Sequence, residues 1–192
     1  MVKNMNFVKY HEYLLQRSSL GFLYRKFYLY PKLNKFLDGL VLDVGCGIGD
    51  MLNFRPGTIG ADINAINVDF CKKSGLPCFL IERGLLPFLS ESFDSVLLDN
   101  VIEHIEFPEK LILEVYRVLR PGGVVLLGVP GAKGYQLDSD HKVFYDEDAL
   151  IGLALKHGFV LKSLFHMPFI KSSWLSNNLK QYCIYAVWVK SK

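Results

Sequence analysis

Residues 41–49 read VLDVGCGIG, a short apolar run carrying Asp43 that delivers Gly45, Gly47 and Gly49 at alternate positions. Apolar residues bounded by turn formers predict a buried strand from Leu40 to Val44 running into a tight turn. Alternate glycines remove the Cβ atoms that would hold a ligand off the backbone, and they permit the positive φ that a strand-to-helix turn often needs. In an open α/β sheet such a loop lies at the carboxyl end of a strand, where ligands bind at the change of strand order. Three glycines also occur in purely structural turns, so the rest of the chain decides which this is.

Outward from this loop the chain alternates regularly. A short helix fits before Pro56 and Gly57, and Thr58 to Ala61 form a second strand ending at Asp62. Asn64 can cap a helix from Ala65 to Lys73 that closes at Gly75. Pro77 to Ile81 make a third strand ending at Glu82, and Phe93 to Leu98 a fourth ending at Asp99 and Asn100, followed by a short helix through His104. Pro108 to Leu119 form a helix with Leu111, Ile112, Val115, Val118 and Leu119 on its inner side. Arg120 to Gly123 turn the chain into a fifth, nearly all-apolar strand through Val129. Continuous apolar strands alternating with helices predict a mainly parallel, doubly wound sheet. Pro130 to His141 reads as a long loop, Asp146 to His157 as a helix, and Phe159 to Phe165 and Tyr182 to Lys190 as two strands closing one side.

With 192 residues, 51% hydrophobic and 21% charged, the chain can bury one sizeable core. Cys46, Cys71, Cys78 and Cys183 form no CxxC pair, which predicts reduced thiols, no zinc knuckle and a cytoplasmic location. No apolar run is long enough to cross a bilayer, and no secretory signal is expected. No His, Cys and carboxylate cluster has metal-ligand spacing in the sequence. The formal charge of +3 is uneven. Residues 1–37 carry Lys3, Lys9, Arg17, Arg25, Lys26, Lys32 and Lys35 against Glu12, so this arm is basic and residues 38–192 are mildly acidic. Leu20, Leu23, Phe27 and Tyr30 recur at helical steps, predicting a helix with one apolar side that Pro31 interrupts or bends. Such an arm can pack on the domain with its basic groups in solvent, or serve as a lid or an anionic-headgroup surface at a membrane.

Asp62 lies seventeen positions beyond Gly45, where a carboxylate can accept both hydroxyls of a ribose, and Glu82 ends the next strand. Asp43 and Asp50 flank the loop, and the third glycine of the dinucleotide fingerprint is missing. A pyrophosphate is unwelcome there. A nucleoside carrying positive charge suits the lining better.

VLDVGCGIG, Asp62, the run LLPFLSESFDSVLLDNVIEHI from Leu85 to Ile105, and VYRVLRPGGVVLLGVP from Val115 to Pro130 resemble the core of class I S-adenosylmethionine-dependent methyltransferases of the small-molecule type. The resemblance covers residues 38–130 and, more loosely, the DHKVFYDEDAL segment. It implies a Rossmann-like, seven-stranded sheet with helices on both faces and a closing antiparallel strand, and S-adenosylmethionine as cofactor. It assigns the methionyl part to Asp43, Gly45, Cys46, Gly47 and Gly49, the ribose to Asp62 with Ile63 beside it, and the adenine side to Glu82 and Arg83, with Asp99 at the end of the fourth strand. Glu82 stands where the family usually has Asp. His141 and His104 are the candidate catalytic bases, each with a purely structural alternative. The expected acceptor is a small molecule, anionic, saccharide or lipid-linked, methylated at oxygen, because the basic residues are confined to the arm and no nucleic-acid-reading element is apparent. A protein that binds the cofactor without turnover and a dinucleotide enzyme are the alternatives.

Overall fold

The computed structural model describes residues 7–16, 18–82 and 84–191. The chain begins with α1 (Phe7–Leu15) and α2 (Ser19–Tyr24), a π-helical turn (Arg25–Leu29) and α3 (Tyr30–Asn34). It continues β1 (Val41–Val44), α4 (Asp50–Phe54), β2 (Ile59–Asp62), α5 (Ala65–Lys73), β3 (Cys78–Leu80), β4 (Phe93–Asp99), a 3₁₀ turn (Ile102–His104) and α6 (Glu109–Val118). Then come β5 (Leu119–Pro130), α7 (Ala132–Gln136), α8 (Glu147–Lys156), β6 (Phe159–Met167), α9 (Ser173–Asn178) and β7 (Cys183–Lys190). The seven strands form one sheet in the order β3-β2-β1-β4-β5-β7-β6. The first five run parallel, and β7 is antiparallel to both β5 and β6.

Strand alternation sends successive side chains to opposite faces, and both faces are covered. Leu42, Val44, Val96, Leu98, Leu127 and Trp188 face one core, shared with Ile112 and Val115 of α6 and Leu150 of α8. Val41, Leu97, Leu126, Tyr185 and Val187 face the other, which Leu29, Tyr30, Leu33 and Leu37 complete. The second half of the arm is therefore part of the sheet's packing. Reversal of strand order between β1 and β4 leaves a crevice at their carboxyl ends, the place for a ligand in such sheets.

Three local expectations are corrected. Of the apolar side expected on Leu20, Leu23, Phe27 and Tyr30, Tyr30 is buried but the other three are exposed, with Leu20 at 79% and Phe27 at 68%, and Leu29 and Leu33 are buried in their place. The π turn is the reason: the Tyr30 amide bonds back to the Arg25 carbonyl, five residues away, which rotates the buried stripe by about one position. The wider turn also relieves the clash a proline ring makes inside an α-helix, so Pro31 continues the helical path instead of breaking it. Second, the turn expected at Arg120 to Gly123 is an irregularity inside the continuous β5, with the pairing to β4 shifting between Phe93 and Ser95 and Gly122 at φ 78°. Third, the long loop after β5 contains the short helix α7.

Candidate active site

The loop after β1 has Gly45, Gly47 and Gly49 all at positive φ (75°, 55° and 83°), as the strand-to-helix reversal requires. Its position is set by β2: the Gly45 amide donates to the Ala61 carbonyl (2.7 Å), and the Gly47 amide donates to Oδ2 of Asp62 (2.8 Å). Oδ1 of Asp62 accepts from the Asn64 amide (2.7 Å), and Asn64 in turn caps α5 through Ile66. Asp62 thus ties the glycine loop to the start of α5 while both oxygens retain lone pairs for a ligand. Burial raises its pKa against the lowering effect of these two amide bonds. Asp43 is held well above the carboxylate range, first by burial and then by the charges of Asp99 and Asp62.

Ile63, next to Asp62, is half-exposed, and Glu82 after β3 is exposed. Arg83 lies outside the described residues. Cys46 contributes backbone alone, because its side chain is buried with Leu52, Val68, Cys71 and Cys78 behind the loop, its sulfur 3.3 Å from that of Cys78. Cys71 donates to the Gly47 carbonyl (3.5 Å), a support for the loop that sequence spacing had no means of revealing. Asp99 accepts from the Tyr185 hydroxyl (2.7 Å) and from the Asn100 side chain (3.0 Å), and lies 3.6 Å from Arg25.

The arm covers this end of the sheet. Leu14 of α1 is buried against the loop, so close that a Cβ added at Gly47 would meet its Cδ1 at 3.1 Å. The Asn64 side chain donates to the Phe7 carbonyl (3.0 Å), and His11 pairs with Asn67 (2.8 Å). Further along, Leu20, Gly21, Tyr24 and Tyr28 face Pro168 and Phe169 across a groove of about 600 Å³. The Tyr24 hydroxyl is buried without a hydrogen-bond partner. Burial, then Cys183, Tyr28 and Asp99, push its pKa up. Nothing in the hydrophobic pattern singled Tyr24 out.

The two candidate bases come together. His104, on the 3₁₀ turn, and His141, in the loop after α7, have ring centroids 4.6 Å apart. The Glu103 carbonyl accepts the amides of Lys142 (2.7 Å) and Val143 (3.2 Å), which clamps that loop to the turn. Burial and then the His141 charge lower the His104 pKa, and burial pushes Glu103 up to about 8.

A positively charged nucleoside fits this lining on its chemistry, with Asp43 and Asp62 buried and Asp99 partly buried at three strand ends around the glycine loop. The comparisons agree. Residues 42–127 match the family described as Methyltransferase domain. Over 98 residues, 45% of this chain and 35% of the relative, the chain is 39% identical to the fatty-acid O-methyltransferase of Mycolicibacterium smegmatis. Over 118 residues, 56% of this chain and 29% of the relative, it is 32% identical to the tRNA (carboxymethyluridine(34)-5-O)-methyltransferase of Arabidopsis thaliana. The solved structure of a SAM-dependent methyltransferase from Archaeoglobus fulgidus superposes with a TM-score of 0.71 at 16% identity, covering 96% of this chain and 100% of that one. Residues 42–127 are thus similar to a methyltransferase domain, on a fold shared with solved SAM-dependent methyltransferases. The chain spans about a third of the length of these two curated relatives.

Proposed function

We propose that the protein transfers the methyl group of S-adenosylmethionine to an oxygen of a small anionic or lipid-linked acceptor, the apolar part of which lies in the groove between the arm and the β6–α9 connection. The carrying observation is Tyr24. Tyr24, whose hydroxyl is buried and unpartnered, helps line a groove with Leu20, Tyr28, Phe169, Ser18 and Gln181, and Asp99 is among its charged neighbours. A largely apolar groove with an unsatisfied hydroxyl beside it suits an amphiphile, whose oxygen would complete that hydrogen bond. Lys26, Lys32 and Lys171 stand among the exposed Phe22, Phe27, Phe169 and Ile170, a mixture suited to an anionic, lipid-bearing partner.

The cofactor supplies an electrophilic methyl on a sulfonium. This chain's residues have three tasks: the glycine loop and Asp62 hold the nucleoside, the arm excludes water, and Tyr24, His104 and His141 orient the acceptor. The fatty-acid relative supports an oxygen acceptor, and the tRNA relative favours RNA instead. Incubation of the full chain with methyl-labelled cofactor and separated lipid, polar-metabolite and RNA fractions of a cell extract tests the choice. Label is expected in the lipid or polar-metabolite fraction and reduced at least tenfold with Tyr24→Phe. Label in RNA alone would replace this reading.

A further inference from the structure

Beside the acceptor end lies a cluster whose polar atoms do not satisfy one another. Glu103 is fully buried, and neither of its carboxylate oxygens has a hydrogen-bond partner. Leaving such a group unsatisfied is costly, and a site of this kind calls for a missing partner. Two imidazoles face it. His141 has Nδ1 2.9 Å from the Tyr135 carbonyl, which can only accept, so Nδ1 carries the hydrogen and Nε2 presents its lone pair. That Nε2 is 3.9 Å from Oε1 of Glu103 and 3.9 Å from Oδ2 of Asp138, too far for hydrogen bonds to either. Nδ1 of His104 is 3.3 Å from Oδ2 of Asp140 but out of line, so it too lacks a hydrogen bond.

We propose that Glu103, His104 and His141 form a divalent-cation site, with Asp138 and Asp140 at its mouth. One ligand atom from each of the three lies within 4.8 Å of the others. Ligands bonded at about 2.0–2.2 Å sit roughly 3–3.5 Å apart around an ion, so closing by about an ångström completes the set. Two imidazoles and a carboxylate, with further carboxylates near, suit Zn²⁺ or Mn²⁺ over Mg²⁺ or a thiol-seeking ion. The Tyr135 carbonyl on Nδ1 of His141 is the outer-shell contact that fixes a ligating tautomer. Asp138 and Asp140 are both more than a third exposed and give the ion a way in. Lys142 holds its ammonium 3.3 Å from Oδ1 of Asp140 and 3.2 Å from the Asp140 carbonyl.

Such an ion would bind the acceptor's oxygen and lower the pKa of a hydroxyl there, its proton leaving to solvent, which makes the two histidines ligands in place of bases. This use rests on the acceptor reading above; the site itself does not. The test is titration of the chelator-treated full chain with Mn²⁺, followed by loss of the free-ion electron paramagnetic signal, beside calorimetry with S-adenosylhomocysteine. Mn²⁺ is chosen because the buried thiols of Cys46, Cys71 and Cys78 are poor ligands for it. One Mn²⁺ per chain is expected, with Glu103→Gln and His141→Ala each weakening it at least tenfold while nucleoside affinity stays constant. Absence of Mn²⁺ binding below millimolar concentration, or binding indifferent to Glu103→Gln, would overturn the site. Loss of nucleoside binding in the unaltered chain would instead overturn the methyltransferase reading, so the two failures are distinct.

Discussion

Arg25 of the arm places Nη1 3.6 Å from Oδ2 of Asp99 at the end of β4, and the Tyr185 hydroxyl of β7 holds the other oxygen of that carboxylate. One carboxylate thus joins the arm, the switch-point strand and the closing strand. Arg25 is a third exposed on its side chain, so the pair contributes only about 1 kcal/mol. Arg25→Ala is expected to weaken S-adenosylhomocysteine binding about fivefold in calorimetry. Arg25→Lys should restore part of this, since an ammonium keeps the charge and loses the planar contact. Equal affinity in all three proteins would separate the arm from the cofactor site.

Asp62→Ala removes the expected ribose acceptor and also frees the Gly47 and Asn64 amides that Asp62 holds. Loss of a satisfied buried acceptor costs about 1–3 kcal/mol, so the nucleoside dissociation constant should rise about tenfold or more. An unchanged constant would take Asp62 out of the site.

Leu14→Ala tests the cover over the glycine loop. Truncating a buried leucine costs roughly 2–5 kcal/mol, and here the loss falls on a helix attached to the domain by few contacts. Hydrogen exchange should therefore accelerate in residues 7–15 while protection in β1 and β4 is retained. Uniform acceleration across the sheet would mean that α1 supports the whole fold.

Most of the sheet is legible in the sequence because it follows from local chemistry. Asn64, Gly75, Asp146 and Gly158 mark helix ends where expected, and the strands β1 to β4 are short apolar runs leading into a polar residue or glycine. The arm is less legible. Leu20 and Phe27 carry a regular helical period, but the π turn at Arg25–Leu29 shifts the phase, and a period count assumes none. The site divides in the same way. Asp62 and the glycines can be placed from strand ends, whereas Tyr24 and Glu103 acquire meaning only when tertiary contacts bury them without partners. Likewise His104 and His141, 37 positions apart, meet because the Glu103 carbonyl clamps Lys142 and Val143.

Glu114 offers a pH test remote from the active site. Its carboxylate accepts from the Leu86 amide (2.9 Å) and pairs with Arg117, whose guanidinium also donates to the carbonyls of Leu86 and Phe88. The Arg117 bond, the largest cause, holds Glu114 below the usual carboxylate pKa. A depressed folded pKa contributes stability above the unfolded value of about 4.3, and this is lost as pH falls through the folded pKa. With Arg117 a third exposed, the amount is about 1 kcal/mol. The stability difference between the natural chain and Glu114→Gln, read from urea unfolding, should be constant above about pH 5 and shrink below it. A difference that grows on acidification would contradict the assignment.

The measurement that bears most directly on the methyltransferase assignment is calorimetric titration of the full chain with S-adenosylhomocysteine and, in parallel, with NAD. One nucleoside site per chain, weakened by Asp62→Ala, with no heat from NAD, is the expected result. NAD binding with no response to S-adenosylhomocysteine would contradict it.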